Sequence, residues 1–258
     1  EWKSLKQHCD DLNLNFLSSP FSLKAVEILK EVGVHSWKIA SGEINNDEIF
    51  DSIAETNKKI MLSTGMSTIE EIDKTVQKFE KKGLDYVLMQ CTSLYPTPVE
   101  KIGLNLIEFF KKRYKCKVGL SDHSGIIYTG FAAATLGIDV LEVHTVFDKR
   151  MFGPDVSSSI SIDELKMLND GIKHINTIND NPVDKNSISS DLDLMNKIFR
   201  KSIVAKKKLS KNTLITRDDI AFKKPGDGIS PQDFEKVIGK KLMKEIEKDA
   251  LILMENLI

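Results

Sequence analysis

The chain has little to lock or anchor it. Of its 258 residues only three are cysteines, Cys9, Cys91 and Cys116, and their spacing forms no paired pattern, which argues against a disulfide framework and fits a reducing cytoplasm. No apolar run reaches the roughly 18 residues needed to span a bilayer, so no membrane partner is expected. Net charge is −1, leaving no strong field for nucleic acid or acidic lipid, and lysine-rich stretches read as solvated faces. Initiating Met and signal-peptide pattern are both missing, and Glu1-Trp2-Lys3 reads as the middle of a helix, an expectation that an N-terminal portion precedes it. Serine nucleophile triads and Cys-His pairs with a credible local signature are absent too, which sets nucleophilic hydrolysis aside.

What is present is a repeating pattern. Short apolar runs at Phe16–Pro20, Trp37–Ser41, Lys59–Thr64, Tyr86–Ser93, Lys117–His123 and Val140–Phe147 alternate with amphipathic helical segments. Spacings of about 20–30 residues suit βαβ units of a parallel sheet, either a barrel or a doubly wound sheet. Polar residues follow nearly every run: Ser18-Ser19, Ser41-Gly42-Glu43, Ser63-Thr64-Gly65, Thr92-Ser93 with Tyr95, Ser121-Asp122-His123 and His144-Thr145. Six strands aiming polar ends at one region favour the α/β barrel, whose C-terminal face collects such residues.

A helix over Ile162–Asn176, with Ser161 and Asp163 as cap residues, closes the pattern. We divide the chain into a barrel domain over 1–178, an Asn-, Asp- and Ser-rich linker over 179–197, and a small β-rich domain over 198–258. In the last, Ser202–Ala205, Leu214–Thr216, Ile220–Phe222 and Leu251–Leu253 read as short strands, and Pro225-Gly226-Asp227-Gly228 as a turn. About 60 residues are too few for a second catalytic core, so binding, covering or dimerising is its expected task.

His123 and His144 each end an apolar run one βα unit apart, so their imidazoles can share one divalent metal; each alone also reads as an ordinary core or loop histidine. Lys38 lies inside a strand run, where an ammonium needs an anion or carboxylate, or else packs its stem and sends its head to solvent. Ser41, Ser63, Ser93 and Ser121 stand at four successive strand ends, where hydroxyls and amides can cradle phosphate oxygens. Glu43 and Asp155 are candidate carboxylates for sugar hydroxyls or proton transfer. Cys91 reads as a core thiol.

Taken together, Lys-Ile-Ala-Ser-Gly-Glu (38–43), Leu-Ser-Thr-Gly-Met (62–66), Gln-Cys-Thr-Ser-Leu-Tyr-Pro (90–96), Gly-Leu-Ser-Asp-His (119–123), Leu-Glu-Val-His (141–144) and Gly-Pro-Asp (153–155) resemble the sialic acid synthase family. Lys-Lys-Pro-Gly-Asp-Gly (223–228) resembles that family's C-terminal antifreeze-like domain. The resemblance implies a (β/α)8 barrel, truncated at its N-terminus by two strands, and condensation of phosphoenolpyruvate with an N-acylated hexose of the N-acetylmannosamine type. It implies a divalent metal, manganese foremost with magnesium or cobalt as alternatives, on His123 and His144. Ser19, Lys38, Ser41, Ser63, Ser93 and Ser121 are then expected around phosphoenolpyruvate, and Glu43, Tyr95 and Asp155 around the sugar. Lys224 stands where relatives often carry an Arg that reaches a partner subunit's sugar site in a domain-swapped homodimer. Ser93 replaces a frequent Asn, Ser19 a frequent Thr, and Val143 a usual basic residue. Two rival readings are another phosphoenolpyruvate-dependent keto-deoxy sugar acid synthase, which the antifreeze-like tail disfavours, and a non-catalytic scaffold binding a carbohydrate or protein partner.

Overall fold

The structure, a computed structural model, describes residues 1–187 and 192–258. The chain divides into two compact units, Glu1–Pro182 and Val183–Ile258. The first is an α/β unit whose six strands, β1 (Ser36–Ile39), β2 (Lys59–Ser63), β3 (Tyr86–Cys91), β4 (Lys117–Asp122), β5 (Val140–Val146) and β6 (Ser159–Ser161), pair in chain order. Every neighbouring pair is parallel. Helices α1 (Trp2–Asp11), α2 (Leu23–Val32), α3 (Asp47–Ala54), α4 (Ile69–Lys81), α5 (Asn105–Tyr114), α6 (Tyr128–Thr135) and α7 (Ile162–Asp180) surround this sheet in sequence.

Local chemistry sets the helix ends. Thr68 and Glu71 form a reciprocal capping box that starts α4, whose Ile72, Val76 and Phe79 then fall on one buried stripe. Ser161 and Glu164 do the same for α7, so the expected cap at Ser161 holds, while its partner is Glu164 rather than Asp163. Ser22 caps α2 through Ala25 N, and Gly33 ends that helix at φ +83°, a conformation that favours glycine.

Strand alternation sends Trp37, Ile39, Ile60, Leu62, Leu88 and Leu120 toward the helices, where they join Val26, Ile53, Ile72, Phe79 and Phe110 in one core. The opposite face carries the polar residues. Register pairs Lys38 with Met61, Ser63 with Met89, Cys91 with Ser121, and Ser121 with Glu142, so Lys38, Ser63, Cys91, Ser121, Glu142 and His144 share that face. In a flat sheet β1 and β5 would lie about 19 Å apart. Yet Lys38 Nζ comes within 3.0 Å of Glu142 Oε2, so the sheet is rolled into an arc with its polar face inside.

Three expectations change. Phe16–Pro20 pairs with no strand; Phe16 instead packs against the core and edge-on to Trp2. Strand β6 goes unannounced, because Ser-Ile-Ser is too short and too polar to show a period. Helix α7 continues through Asp180, and α8 (Asp193–Phe199) takes up residues counted as linker; residues 188–191 of that stretch lie outside the described residues.

The second unit is β-rich. Strands β7 (Ser202–Ala205) and β8 (Ile220–Lys223) pair antiparallel, and Ile203, Leu209, Ile220, Leu242, Ile246 and Ile252 belong to its own core. Leu214–Thr216 and Leu251–Leu253 contribute single bridges, Leu214 to Lys241 and Leu251 to Val204, rather than strands. Leu214 is exposed while Ile215 is buried in that core, so the segment packs through Ile215 without extending a ladder.

Candidate active site

A cavity of about 430 Å³ opens at the C-terminal ends of β1 to β5. Of the residues singled out from sequence, Ser19, Lys38, Ser41, Ser63, Ser93, Tyr95, Ser121, His123 and His144 all line it. Parallel strands deliver their C-terminal ends to one rim, which explains why residues so far apart in the chain converge.

Lys38 sits at its floor, 7% exposed. Its Nζ donates to Ser63 Oγ at 2.6 Å and lies 3.0 Å from Glu142 Oε2. A buried ammonium thus meets a carboxylate and a hydroxyl, one of the two solutions the sequence left open. Burial pushes the Glu142 carboxyl up, but Lys38, with the Ser121 hydroxyl and His123, outweighs it and holds Glu142 below its ordinary value.

Beside the lysine, hydroxyls crowd together. Gly65 N donates to Ser41 Oγ at 3.0 Å, and a Cβ at Gly65 would collide with Ser93 Oγ and stand 2.7 Å from Cys91 Sγ. Glycine is therefore required for Ser41, Ser93 and Cys91 to converge. Burial pushes the Cys91 thiol up against the opposing pull of the Ser41, Ser121 and Ser93 hydroxyls and of Lys38, so it stays a protonated thiol.

The two imidazoles meet edge to face, with ring centroids 5.1 Å apart. Tyr95 stacks on His123 at 4.2 Å and presents an edge to His144 at 5.8 Å. His123 Nδ1 lies 3.2 Å from the Thr92 carbonyl, which only accepts, so Nδ1 carries the proton and Nε2 keeps its lone pair. Nε2 lies near Tyr95 Oη at 3.4 Å and Ser121 Oγ at 3.5 Å. Burial, reinforced by His144, lowers the His123 pKa, which keeps the ring neutral and fit to ligate. Behind it, buried Asp122 accepts from Ser124 N at 3.0 Å and from the Ser124 and Thr129 hydroxyls, fixing the turn that carries His123.

A neutral imidazole with its second nitrogen tied to a carbonyl is what a metal-binding histidine needs, and His123 meets that condition. Among the described residues no group of three or more His, Cys, Asp or Glu side chains is arranged around a metal position. Any metal here rests on two imidazoles plus oxygen atoms of water and substrate.

The remaining carboxylates stand apart from the floor. Asp155 Oδ2 lies 3.9 Å from His144 Nδ1, in an adjoining pocket. Glu43 does not line the cavity; its carboxylate accepts from Asn46 Nδ2 at 2.8 Å. Lys224 belongs to the second unit, with Nζ 4.9 Å above the Phe199 ring. Sequence reasoning passed over Glu142, Phe21 and Met66 as wall residues. A carboxylate two residues before His144 on the same strand face was the available signal for Glu142.

The model of the NeuB family matches residues 1–183, and that of the SAF domain matches residues 200–258. An N,N'-diacetyllegionaminic acid synthase of Campylobacter jejuni is 38% identical over 97% of this chain and 75% of its own length. A pseudaminic acid synthase of the same species is 32% identical over 96% of this chain and 72% of its own. Among solved structures, a spore coat polysaccharide biosynthesis protein of Bacillus subtilis superposes with a TM-score of 0.66 at 25% identity, covering 99% of this chain and 76% of that one.

Proposed function

The chain belongs to the NeuB family, and from that premise we propose that it condenses phosphoenolpyruvate with an N-acetylmannosamine-like sugar, giving a nonulosonic acid and phosphate. The observation that carries the reading is the cavity in which Lys38, five serine hydroxyls and two imidazoles converge. A phosphorylated enol acid needs a cation and donors for its oxygens, and an aldehyde acceptor needs an electrophilic aid; both kinds of group stand on one rim.

In this reading Lys38, with Ser19, Ser41, Ser63, Ser93 and Ser121, holds the phosphate and carboxylate of phosphoenolpyruvate. Its C3 carbon forms a bond to the aldehyde carbon of the open-chain sugar, water adds at C2, and the C2–O bond breaks to release phosphate. His123 and His144 would hold a divalent cation, manganese, magnesium or cobalt, which when bound polarises the acceptor carbonyl. Tyr95 braces His123 by stacking, and Asp155 accepts hydroxyl hydrogens from the sugar. Stacking and the Thr92 carbonyl together fix the His123 ring before substrate arrives.

The six parallel strands form, in this reading, an arc of a (β/α)8 barrel, and the second unit brings Lys224 to the acceptor site of a homodimer partner. Among the described residues no helix is long and apolar enough to cross a membrane. The family's soluble-substrate chemistry supports a cytoplasmic setting.

The test is phosphate release from phosphoenolpyruvate with added manganese and a panel of N-acylated hexoses. Release is expected to require both sugar and metal, and to fall at least about a hundredfold in His123→Ala. A folded protein that releases no phosphate with any sugar would return the chain to the scaffold reading.

A further inference from the structure

Between residues 94 and 100 the β3 to α5 loop is exposed at every position but one, Thr97, which is 4% exposed. A hydroxyl gains nothing from burial unless it is bonded, so its partners say why it is there. Thr97 does not line the cavity, and the proposed condensation gives it no task. Its bonds nevertheless lead to one cavity residue. Thr97 Oγ1 donates to the Thr92 carbonyl at 3.0 Å and to the Leu94 carbonyl at 2.8 Å, its one proton shared between them. Its backbone N donates to the His123 carbonyl at 3.0 Å. The Thr92 carbonyl in turn is the acceptor for His123 Nδ1 at 3.2 Å and for Leu94 N at 2.8 Å. Thr97 therefore holds His123 twice, once through its main chain and once through the carbonyl that the imidazole uses.

The ends of the loop are tied by other groups. Thr92 Oγ1 donates to the Lys101 carbonyl at 2.7 Å, and Gln90 Nε2 donates to the Ile102 carbonyl at 3.1 Å. Loop closure thus has its own bonds, and the Thr97 hydroxyl is left to aim the Thr92 carbonyl. A carbonyl held by a single donor can swing about its flanking torsions; one held by the loop on two sides presents a fixed acceptor to its third partner. That fixed acceptor decides which ring nitrogen of His123 carries the proton. It also stops the ring from turning over, a motion that would exchange Nε2 for a carbon at the cavity.

Resting on the proposed use of His123 as a metal ligand, we infer that Thr97 is a positioning residue for it: the Thr97 hydroxyl fixes the Thr92 carbonyl, which fixes the tautomer and orientation of the His123 ring. Groups that orient a metal-binding histidine are worth about ten- to a hundredfold in metal affinity, and Thr97 acts at one remove, so the lower figure is expected.

The experiment measures binding of manganese alone, from the paramagnetic resonance of the free ion, and binding of inorganic phosphate by calorimetry, in the full protein, Thr97→Val and Thr97→Ser. Valine keeps the branched shape and removes the hydroxyl, whereas serine keeps the hydroxyl. Manganese affinity is expected to fall about tenfold in Thr97→Val and to return to the parent value in Thr97→Ser, with phosphate affinity unchanged in both. Ring-nitrogen NMR resonances of His123 give a second readout: a proton on Nδ1 in the parent and in Thr97→Ser, and mixed tautomers in Thr97→Val. Equal manganese affinity in the parent and Thr97→Val would overturn the inference and leave the condensation standing. A Thr97→Ser variant as weak as Thr97→Val, or equal losses of manganese and phosphate, would make Thr97 a structural residue of the loop and overturn it as well. If Thr97→Val does not fold, the other two proteins decide: a proton on Nε2 of His123 in either overturns the inference, and a proton on Nδ1 in both, with equal manganese affinity, upholds it. A parent that binds no manganese would overturn the metal site of the proposed condensation, and this inference with it.

Discussion

Trp37 and Lys38 are neighbours in the chain and live on opposite faces of one sheet. Trp37 is fully buried under the helices, its Nε1 donating to Thr56 Oγ1 at 2.8 Å, while Lys38 reaches into the cavity toward Ser63 and Glu142. The same division runs through β2 and β4: Leu62 and Leu120 pack beneath helices, whereas Ser63 and Ser121 face the cavity. A strand thus does two jobs at alternate positions. The outward face supplies the apolar burial that stabilises the unit, and the inward face spends burial on polar groups that have few apolar contacts to give back.

The strongest way to break this division is to exchange the roles of the adjacent pair. Trp37→Ala leaves a large cavity in the helix-facing core and is expected to cost about 3–5 kcal/mol of stability, read by urea denaturation. Lys38→Met, one residue on, is expected to leave the denaturation midpoint near that of the parent and to lower phosphoenolpyruvate-dependent phosphate release about 10²- to 10³-fold. If Lys38→Met unfolds the protein, or Trp37→Ala retains full stability, the two faces are not separable in this way.

A finer cut lies within the inward face. Glu142 Oε2 stands 3.0 Å from the Lys38 ammonium, where an anionic substrate would be drawn. Glu142→Gln keeps the shape and removes the competing charge. Inorganic phosphate is then expected to bind more tightly, by about 1 kcal/mol or roughly fivefold, in a calorimetric titration. Unchanged or weaker phosphate binding would show that Lys38 is not the group that takes the anion.

Alternation also explains what could be read in advance. Strands β2 to β5 announce themselves as short apolar runs that end in conspicuous polar residues. That is why Ser63, Ser93, Ser121 and both histidines were legible. Phe16–Pro20 mimics such a run but pairs with no strand; Phe16 packs against the core, Pro20 is buried, and Ser19 reaches the cavity. Glu142 stayed hidden for a different reason. Its partner lies on β1, four strands away, and only the rolling of the sheet brings the two side chains together. No periodicity along the chain records that curvature. Glu43 shows the reverse case: a carboxylate at a strand end whose local Asn46 contact, not its position, decides where it points.

The smallest expected effect lies outside the sheet and serves as its control. Asp219 immediately precedes β8 in the second unit, where it accepts from Thr216 N at 2.9 Å and Thr216 Oγ1 at 2.6 Å, and pairs with Lys207 at 2.9 Å. The Thr216 hydroxyl, then Lys207, holds its carboxyl down to about 2. An unfolded aspartate titrates near 3.9, so the folded state binds fewer protons between these values. The stabilisation is complete above about pH 5 and fades as pH falls through 4 toward 2. Calorimetric melting of the parent and of Asp219→Asn is therefore expected to differ at neutral pH and to converge as pH falls to about 2, while the anion affinity of the Lys38 cavity at neutral pH is the same in both. A gap that persists into acid would mean that shape and hydrogen-bond geometry, rather than charge, account for what Asp219 does at the start of β8.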